Sequence, residues 1–233
     1  MTRLWAILLA LAAIAFAASP VLTGGFNGFE PGQFPVPQDD PPVQPAGYAF
    51  SVWGLIYAWL IVGALFGLVR RMDDPDWAPM RPPLVLSLAV GSVWLWVAQV
   101  SPVAATVLIW VMLAGALLSL FRVGDTDRWL QQAPVAIYAG WLTAASCVAL
   151  GLLIAGYGWL DETPAALVAL GLALAIAVAA QYFLHRAPEY GVTVIWALVA
   201  VIVANSQPFN AAVSGLALLG IVAILGLRGT DTE

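Results

Sequence analysis

PAGYAFSVWGLIY, residues Pro45 to Tyr57, leaves a proline-crowded segment and enters an uninterrupted apolar run. Along it Phe50, Trp53 and Tyr57 stand at i, i+3 and i+7, which puts three aromatic rings on one face of a helix, with Tyr48 at the mouth. From Gly47 to Val69 the run carries no charge. That is enough to cross the ~30 Å hydrocarbon core of a bilayer, which takes ~20 apolar residues. The fold is read outward from this element: a helix that carries an aromatic face into a membrane.

The remainder of the chain agrees. It is 62% hydrophobic and only 9% charged, where a soluble domain is about one quarter charged. Its mean hydropathy is +0.93. The class is therefore all-α, a polytopic membrane bundle. Apolar runs between charges and Pro/Gly breaks predict eight spans: Leu4 to Thr23, Gly47 to Val69, Pro82 to Gln99, Pro102 to Phe121, Gln132 to Gly156, Pro164 to Leu184, Tyr190 to Ser206 and Phe209 to Leu227. The third and seventh are short and join their successors through the proline turns QVSP and NSQP, so each pair is expected to form a helical hairpin.

Charge tests the count independently, because basic residues stay on the cytoplasmic side of short loops. The chain has no lysine, and with eight alternating spans all eight arginines fall on one side: Arg3, Arg70, Arg71, Arg81, Arg122, Arg128, Arg186 and Arg228. The opposite side receives residues 24–46, two proline turns and YGWLDET, none with Lys or Arg. Both termini are then cytoplasmic, in what reads as a bacterial inner membrane. The first 19 residues also fit a cleaved signal peptide, with a basic start, an apolar middle and small residues near Ala15 to Ser19. Seven spans of the same orientation would remain after such cleavage.

Every carboxylate lies in a loop or the tail. Proton-coupled pumps and many ion-coupled carriers place an ionisable group at membrane depth, so that chemistry lacks its usual residues here. His185, the only histidine, stands beside Arg186 at a helix end, and Cys147 is a lone cysteine inside the fifth span, which reads as packing. No metal ligand set or disulfide is assembled from these, and there is no Gly-rich phosphate loop or basic stripe for nucleic acid. No catalytic residue, metal site or cofactor is expected, and enzymatic activity is left open with the balance against it. The net charge of −5 comes from loops and tail and names no partner.

The aromatic residues remain, including 11 tryptophans. Trp5, Trp77, Trp129 and Trp159 lie near loops and read as interfacial anchors. Others lie deeper. At 1.5 Å per residue Trp53 sits roughly 9 Å in from the outer side and Tyr57 roughly 15 Å. Trp94 and Trp96 lie about 5 to 8 Å from the outer end of the third span, and Trp110 about 12 Å below that of the fourth. Tyr138 and Trp141 share a face of the fifth span at i, i+3. Singly, each ring is as well explained by packing. As a set beside the loop GGFNGFEPGQFPVPQDDPPVQP, they suit a pocket for a flat apolar ligand, with the semi-rigid loop over its mouth.

These residues resemble the translocator protein or tryptophan-rich sensory protein family (TspO/MBR), a five-helix membrane bundle. Pro45, Gly47, Tyr48 and Phe50 look like the Pro-Gly-Trp-x-Phe segment that opens its second helix, and Trp53 with Tyr57 like the Trp-x-x-x-Tyr that follows. Tyr138, Trp141 and Ala145, after Pro134, match a Pro-Tyr-x-x-Trp-x-x-x-Ala pattern in its fifth. The chain departs from the pattern at Tyr48, where the family has Trp, and at Gly91 and Ala149, where it has Asn. The resemblance covers Leu4 to Gly156, so residues 1–156 read as a five-helix core and 157–233 as a three-helix extension.

What the resemblance implies is a binder, transporter or sensor of planar hydrophobic molecules, tetrapyrroles such as protoporphyrin first and sterol-like lipids second. Tyr48, Phe50, Trp53, Tyr57, Trp94, Trp110, Tyr138 and Trp141 would be the ligand-binding set. Two other classes stay open. A facilitative transporter of another small molecule would move substrate across sealed vesicles. An assembly subunit would dock a membrane partner through the Gly/Ala faces of its last helices, with a monomer or homodimer expected otherwise.

Overall fold

Inside a bilayer the backbone has no water to bond, so each apolar run satisfies its N–H and C=O groups within a helix. The computed structural model describes residues 2–229, in eight helices. They are α1 (Thr2–Thr23), α2 (Val52–Arg70), α3 (Arg81–Val100), α4 (Pro102–Phe121), α5 (Gln132–Gly156), α6 (Glu162–Leu184), α7 (Pro188–Ala204) and α8 (Ala211–Gly229). The first six segments are long and apolar enough to cross a membrane. The 17-residue α7 and the apolar stretch of α8 are shorter, and they pack against α5 and α6 and against each other.

The expected spans are met to within a few residues, apart from the start of the second. Gly47–Ser51 forms a 3-10 turn before α2 begins at Val52. The turn is held tight by its surroundings. Ala49 N–H bonds Ala46 O at 2.9 Å, Ala46 N–H is drawn to Ala200 O of α7, and the Ala49 carbonyl accepts from Trp196 Nε1 at 3.1 Å. The QVSP hairpin is as tight as its sequence implies, with Ser101 alone between α3 and α4. Its Oγ accepts from Ala104 N, and Pro102 occupies the first helical position, where a missing N–H costs nothing.

All described arginine side chains gather at one end of the bundle, where ion pairs tie different connections together. Arg3 pairs with Asp73, Arg71 with Asp127, Arg186 with Asp125 and Arg128 with Glu189. The buried Arg81 guanidinium donates to the carbonyls of Gly67, Arg71 and Met72, covering the C-terminal end of α2. Cations at a helix C-terminus complement its dipole and its unpaired carbonyls. The long connection between α1 and α2 lies at the opposite end.

At the centre runs α5, with 20 of its 25 residues buried. It packs on α2 and α4 on one side and on α6 and α7 on the other, so one hydrophobic core extends through all eight helices. Gly140 allows the closest of these approaches. A Cβ there would stand 2.5 Å from the Tyr190 carbonyl of α7. The hydroxyl groups of α5 are met by neighbours. Ser87 Oγ donates to Met112 O and so receives the Tyr138 hydroxyl at 2.8 Å, and Thr143 Oγ1 donates to Ala139 O and so receives that of Tyr190 at 2.9 Å.

The Asp127 carboxylate is held below its ordinary pKa, first by the Arg71 hydrogen bond at 2.7 Å and then by the Trp77 indole at 3.1 Å. A lowered folded-state pKa contributes stability that is complete above the unfolded value of about 4 and is lost as pH falls through the folded one. Asp127→Asn is therefore expected to cost about 1 kcal/mol at pH 7, the scale of a partly exposed pair. Thermal melts in detergent should show the gap from wild type beginning to close as pH falls below about 4 and vanishing only below the lowered folded-state pKa, where both chains carry a neutral side chain.

Candidate functional site

The site is built where the aromatic start of α2 meets α1, α3 and α5. Trp53 and Tyr57, one helical turn apart, stack with centroids 5.3 Å apart and planes inclined by 14°. Phe16 of α1 sets its edge against Trp53 at 5.8 Å, Tyr57 at 5.0 Å and Tyr138 at 5.6 Å. Trp141 of α5 stands edge-on to Phe50 at 5.8 Å and to Trp53 at 6.0 Å. Such T-shaped pairs place the positive ring edge on the negative face of the next ring.

The aromatic wall continues through the connection between α1 and α2. Phe26 and Phe29 meet Trp94 of α3 at 4.9 and 6.4 Å, and Trp94 Nε1 is fixed by donation to Ala105 O at 2.8 Å. This connection is strapped across the helix ends. Gln33 Nε2 donates to Ala98 O, Val36 N–H to Gly156 O, and Asn205 Nδ2 to Pro42 O. Gly28 has a φ of +121° and lies against the Gln44 amide, where a Cβ would come within 3.0 Å. Few other residues adopt that backbone conformation, so the loop can double back over the cavity only with glycine there.

Two adjoining cavities lie beneath. The outer, of about 360 Å³, is walled by Phe16, Tyr48, Trp53, Tyr57 and Met112. The inner, of about 50 Å³, is walled by Phe29, Gln44, Trp141, Ala145 and Ala149. Phe26, Phe50, Trp94 and Ile109 belong to both. Neither wall carries a carboxylate, a histidine or a cysteine. Trp141 is 2% exposed and its Nε1 has no hydrogen-bond partner in the protein. A buried donor without an acceptor is costly, and natural structures seldom leave one without a reason.

Of the eight residues expected from sequence, six line these cavities: Tyr48, Phe50, Trp53, Tyr57, Trp94 and Trp141. Tyr48 is 45% exposed and leans on Trp196 of α7 at 5.3 Å, at the rim. Trp110 packs against the core without reaching either cavity, and Tyr138 is wholly buried behind Phe16. Sequence reasoning missed Phe16, Phe26, Phe29 and Gln44. The loop residues were visible as a Phe-rich run, but Phe16 sits in an apolar helix that gives no positional signal. Its partner position is Gly91, where a Cβ would stand 2.6 Å from the Phe16 ring. Phe16 thus takes the space that the side chain of an Asn at position 91 would need.

Because Tyr138 is scaffold and not wall, Tyr138→Phe is expected to lower stability by about 1 kcal/mol, the worth of one buried hydrogen bond. Affinity for a cavity ligand should be unchanged. Chemical denaturation paired with a binding titration on the same variant separates the two effects.

Comparison with known proteins adds one finding. The family model described as TSPO-like protein matches residues 4–228, and so takes in the last three helices as well as the first five. No curated protein and no solved structure matches the chain.

Proposed function

The chain belongs to the TSPO-like protein family, and from that premise we propose that it binds planar hydrophobic molecules inside the membrane, as sensor or carrier. Tetrapyrroles come first and sterol-like lipids second. One observation supports this above the others: five aromatic side chains from α1, α2, α3 and α5, with two more from the strapped loop, enclose adjoining cavities free of charged walls. The outer cavity, with about 360 Å³ of free space, falls in the ~300 to 1,000 Å³ range of small-molecule sites, and the inner one, with about 50 Å³, is an annex to it. Flat rings suit such a lining because each offset or edge-on aromatic contact adds about 0.5 to 1.5 kcal/mol beyond the area it buries. The lining carries no carboxylate, histidine or cysteine, which favours binding over catalysis.

Trp53→Ala and Trp141→Ala are each expected to weaken protoporphyrin binding by about 1 to 3 kcal/mol, one aromatic partner plus its buried area. Trp5→Ala and Trp159→Ala, outside both cavities, should leave it unchanged. Quenching of tryptophan fluorescence by protoporphyrin, titrated across the four variants, measures this. Equal affinity in all four folded proteins would reduce the aromatic wall to packing.

The same reading puts the chain in a bacterial cell membrane with both termini cytoplasmic, because its arginine-bearing connections meet at one end. Reporters fused after Pro41 and Asp161 are then expected outside the cytoplasm, and those after Asp74 and Asp125 inside. A cytoplasmic signal from Pro41 would reverse the orientation.

A further inference from the structure

The rim of the site is held from outside the first five helices. Ala46 N–H donates to Ala200 O of α7 at 3.1 Å, and Trp196 Nε1, one turn earlier on that helix, donates to Ala49 O at 3.1 Å. These two bonds bracket the opening residues of the 3-10 turn Gly47–Ser51. At the end of α7, Asn205 Nδ2 donates to Pro42 O at 2.8 Å and holds the chain just upstream. Tyr48 sets its ring edge-on to Trp196, with the planes at 83°.

The same turn is cavity wall. Gly47, Tyr48, Phe50 and Ser51 line the outer cavity, and Phe50 lines the inner one as well. A 3-10 turn has poorer hydrogen-bond geometry than an α-helix, so its conformation leans on ties from outside. Here those ties come from α7, which is itself anchored elsewhere. In its first turn the Tyr190 hydroxyl is bonded to Thr143 of α5 at 2.9 Å, beside the close approach at Gly140. The helix is therefore a fixed post from which the turn can part. Of the two bonds on the turn, the one from Ala46 is backbone to backbone, and the one from Trp196 is a side chain's. When the Trp196 donor is lost, Ala49 O keeps the Val52 N–H, so no buried acceptor is stranded.

We propose that α7 latches the mouth of the aromatic site, with Trp196 as the positioning residue. Its Nε1 bond to Ala49 O holds the 3-10 turn, and with it Tyr48 and Phe50, closed over the outer cavity, and a planar ligand enters and leaves when that bond opens. The proposal rests on the planar-ligand reading above and adds a gate to it. Trp196 lines neither cavity, so the bond acts on the mouth and not on the ligand. Breaking it weakens the closed mouth equally in the empty and the loaded protein. The open fraction rises in both, so association and dissociation accelerate by one common factor and their ratio, the affinity, is kept.

The test uses the full chain in nanodiscs and stopped-flow mixing with protoporphyrin, followed by the porphyrin's own emission so that losing an indole leaves the probe unchanged. Trp196→Phe keeps a ring against Tyr48 and removes the donor. Association and dissociation are each expected about fivefold faster than in wild type, the factor for one net hydrogen bond, with Kd kept within about twofold. Tyr190→Phe, which loses the bond to α5 at the far end of α7, should lower the denaturation midpoint and leave both rates unchanged. Wild-type rates in Trp196→Phe overturn the latch, because the bond then does not limit exchange. Faster dissociation with unchanged association overturns it too, because Trp196 then acts on the bound state alone. So does equal acceleration in Tyr190→Phe, since any loosening of α7 would then suffice. All three results leave the planar-ligand reading standing. A wild-type chain that takes up no protoporphyrin removes that reading, and the latch with it.

Discussion

The constraint on which the molecule depends is that α5 has no free side. A helix buried on nearly every side needs partners for the polar groups it carries, and here its hydroxyls find them on other helices. Tyr138 donates to Ser87 of α3, Ser146 to the Ile109 carbonyl of α4, and Thr143 is met by Tyr190 of α7. These bonds fix the rotation of α5, and with it the direction in which Trp141 is presented. The first five helices and the last three are thus joined by one shared element. α7 also reaches the site from behind, through Trp196 on the Ala49 carbonyl and Tyr48 on Trp196.

A second constraint acts on the connection between α1 and α2. Twenty-odd residues without regular structure are seldom ordered unless something holds them. Here the holding bonds run mainly from backbone or amide groups of the loop to carbonyls at the ends of α3, α5 and α7. Those carbonyls are the unpaired groups that every helix leaves at its C-terminus, so the loop meets a need the helices already have. In consequence Phe26 and Phe29 are aimed at Trp94, and the loop is a wall of the site as well as its cover.

Much of this was legible in the sequence, for physical reasons that differ by element. Helix positions followed from length and polarity alone, since a bilayer allows few alternatives for an apolar run of that length. The shared side of the arginines followed from their spacing between the runs, and the ion pairs across that end agree with it. On α2, the i, i+3, i+7 spacing foretold that Phe50, Trp53 and Tyr57 would act together, though the first turn proved to be 3-10. Trp94 and Trp96 could not be told apart, because depth is set by position along a helix and facing by rotation about it. The structure puts Trp94 inside, donating to Ala105, and leaves Trp96 largely exposed. Phe16 was illegible for the same reason, in a helix apolar on every side.

That difficulty is general to membrane helices and bears on which signals of a site deserve weight. In water, an exposed apolar patch or a cavity with apolar walls stands out from a polar surface. In hydrocarbon nearly every surface is apolar, so such a lining carries little information by itself. The informative features become the few polar and charged groups and whether each is satisfied. By that measure most of this bundle is accounted for. The Tyr138, Tyr190, Ser87 and Ser146 hydroxyls of the core are bonded, Arg81 is spread over three carbonyls at the end of α2, and the arginine end is laced with ion pairs. The buried groups left without a partner are scattered, at Gln38, Arg81 Nε, Gln131, Glu189 and Ser214 as well as at Trp141 Nε1, and of these Trp141 alone belongs to the aromatic cavities. An unmet polar group is therefore no locator by itself in this bundle, and what distinguishes Trp141 is that its ring, edge-on to Phe50 and Trp53, also walls the inner cavity.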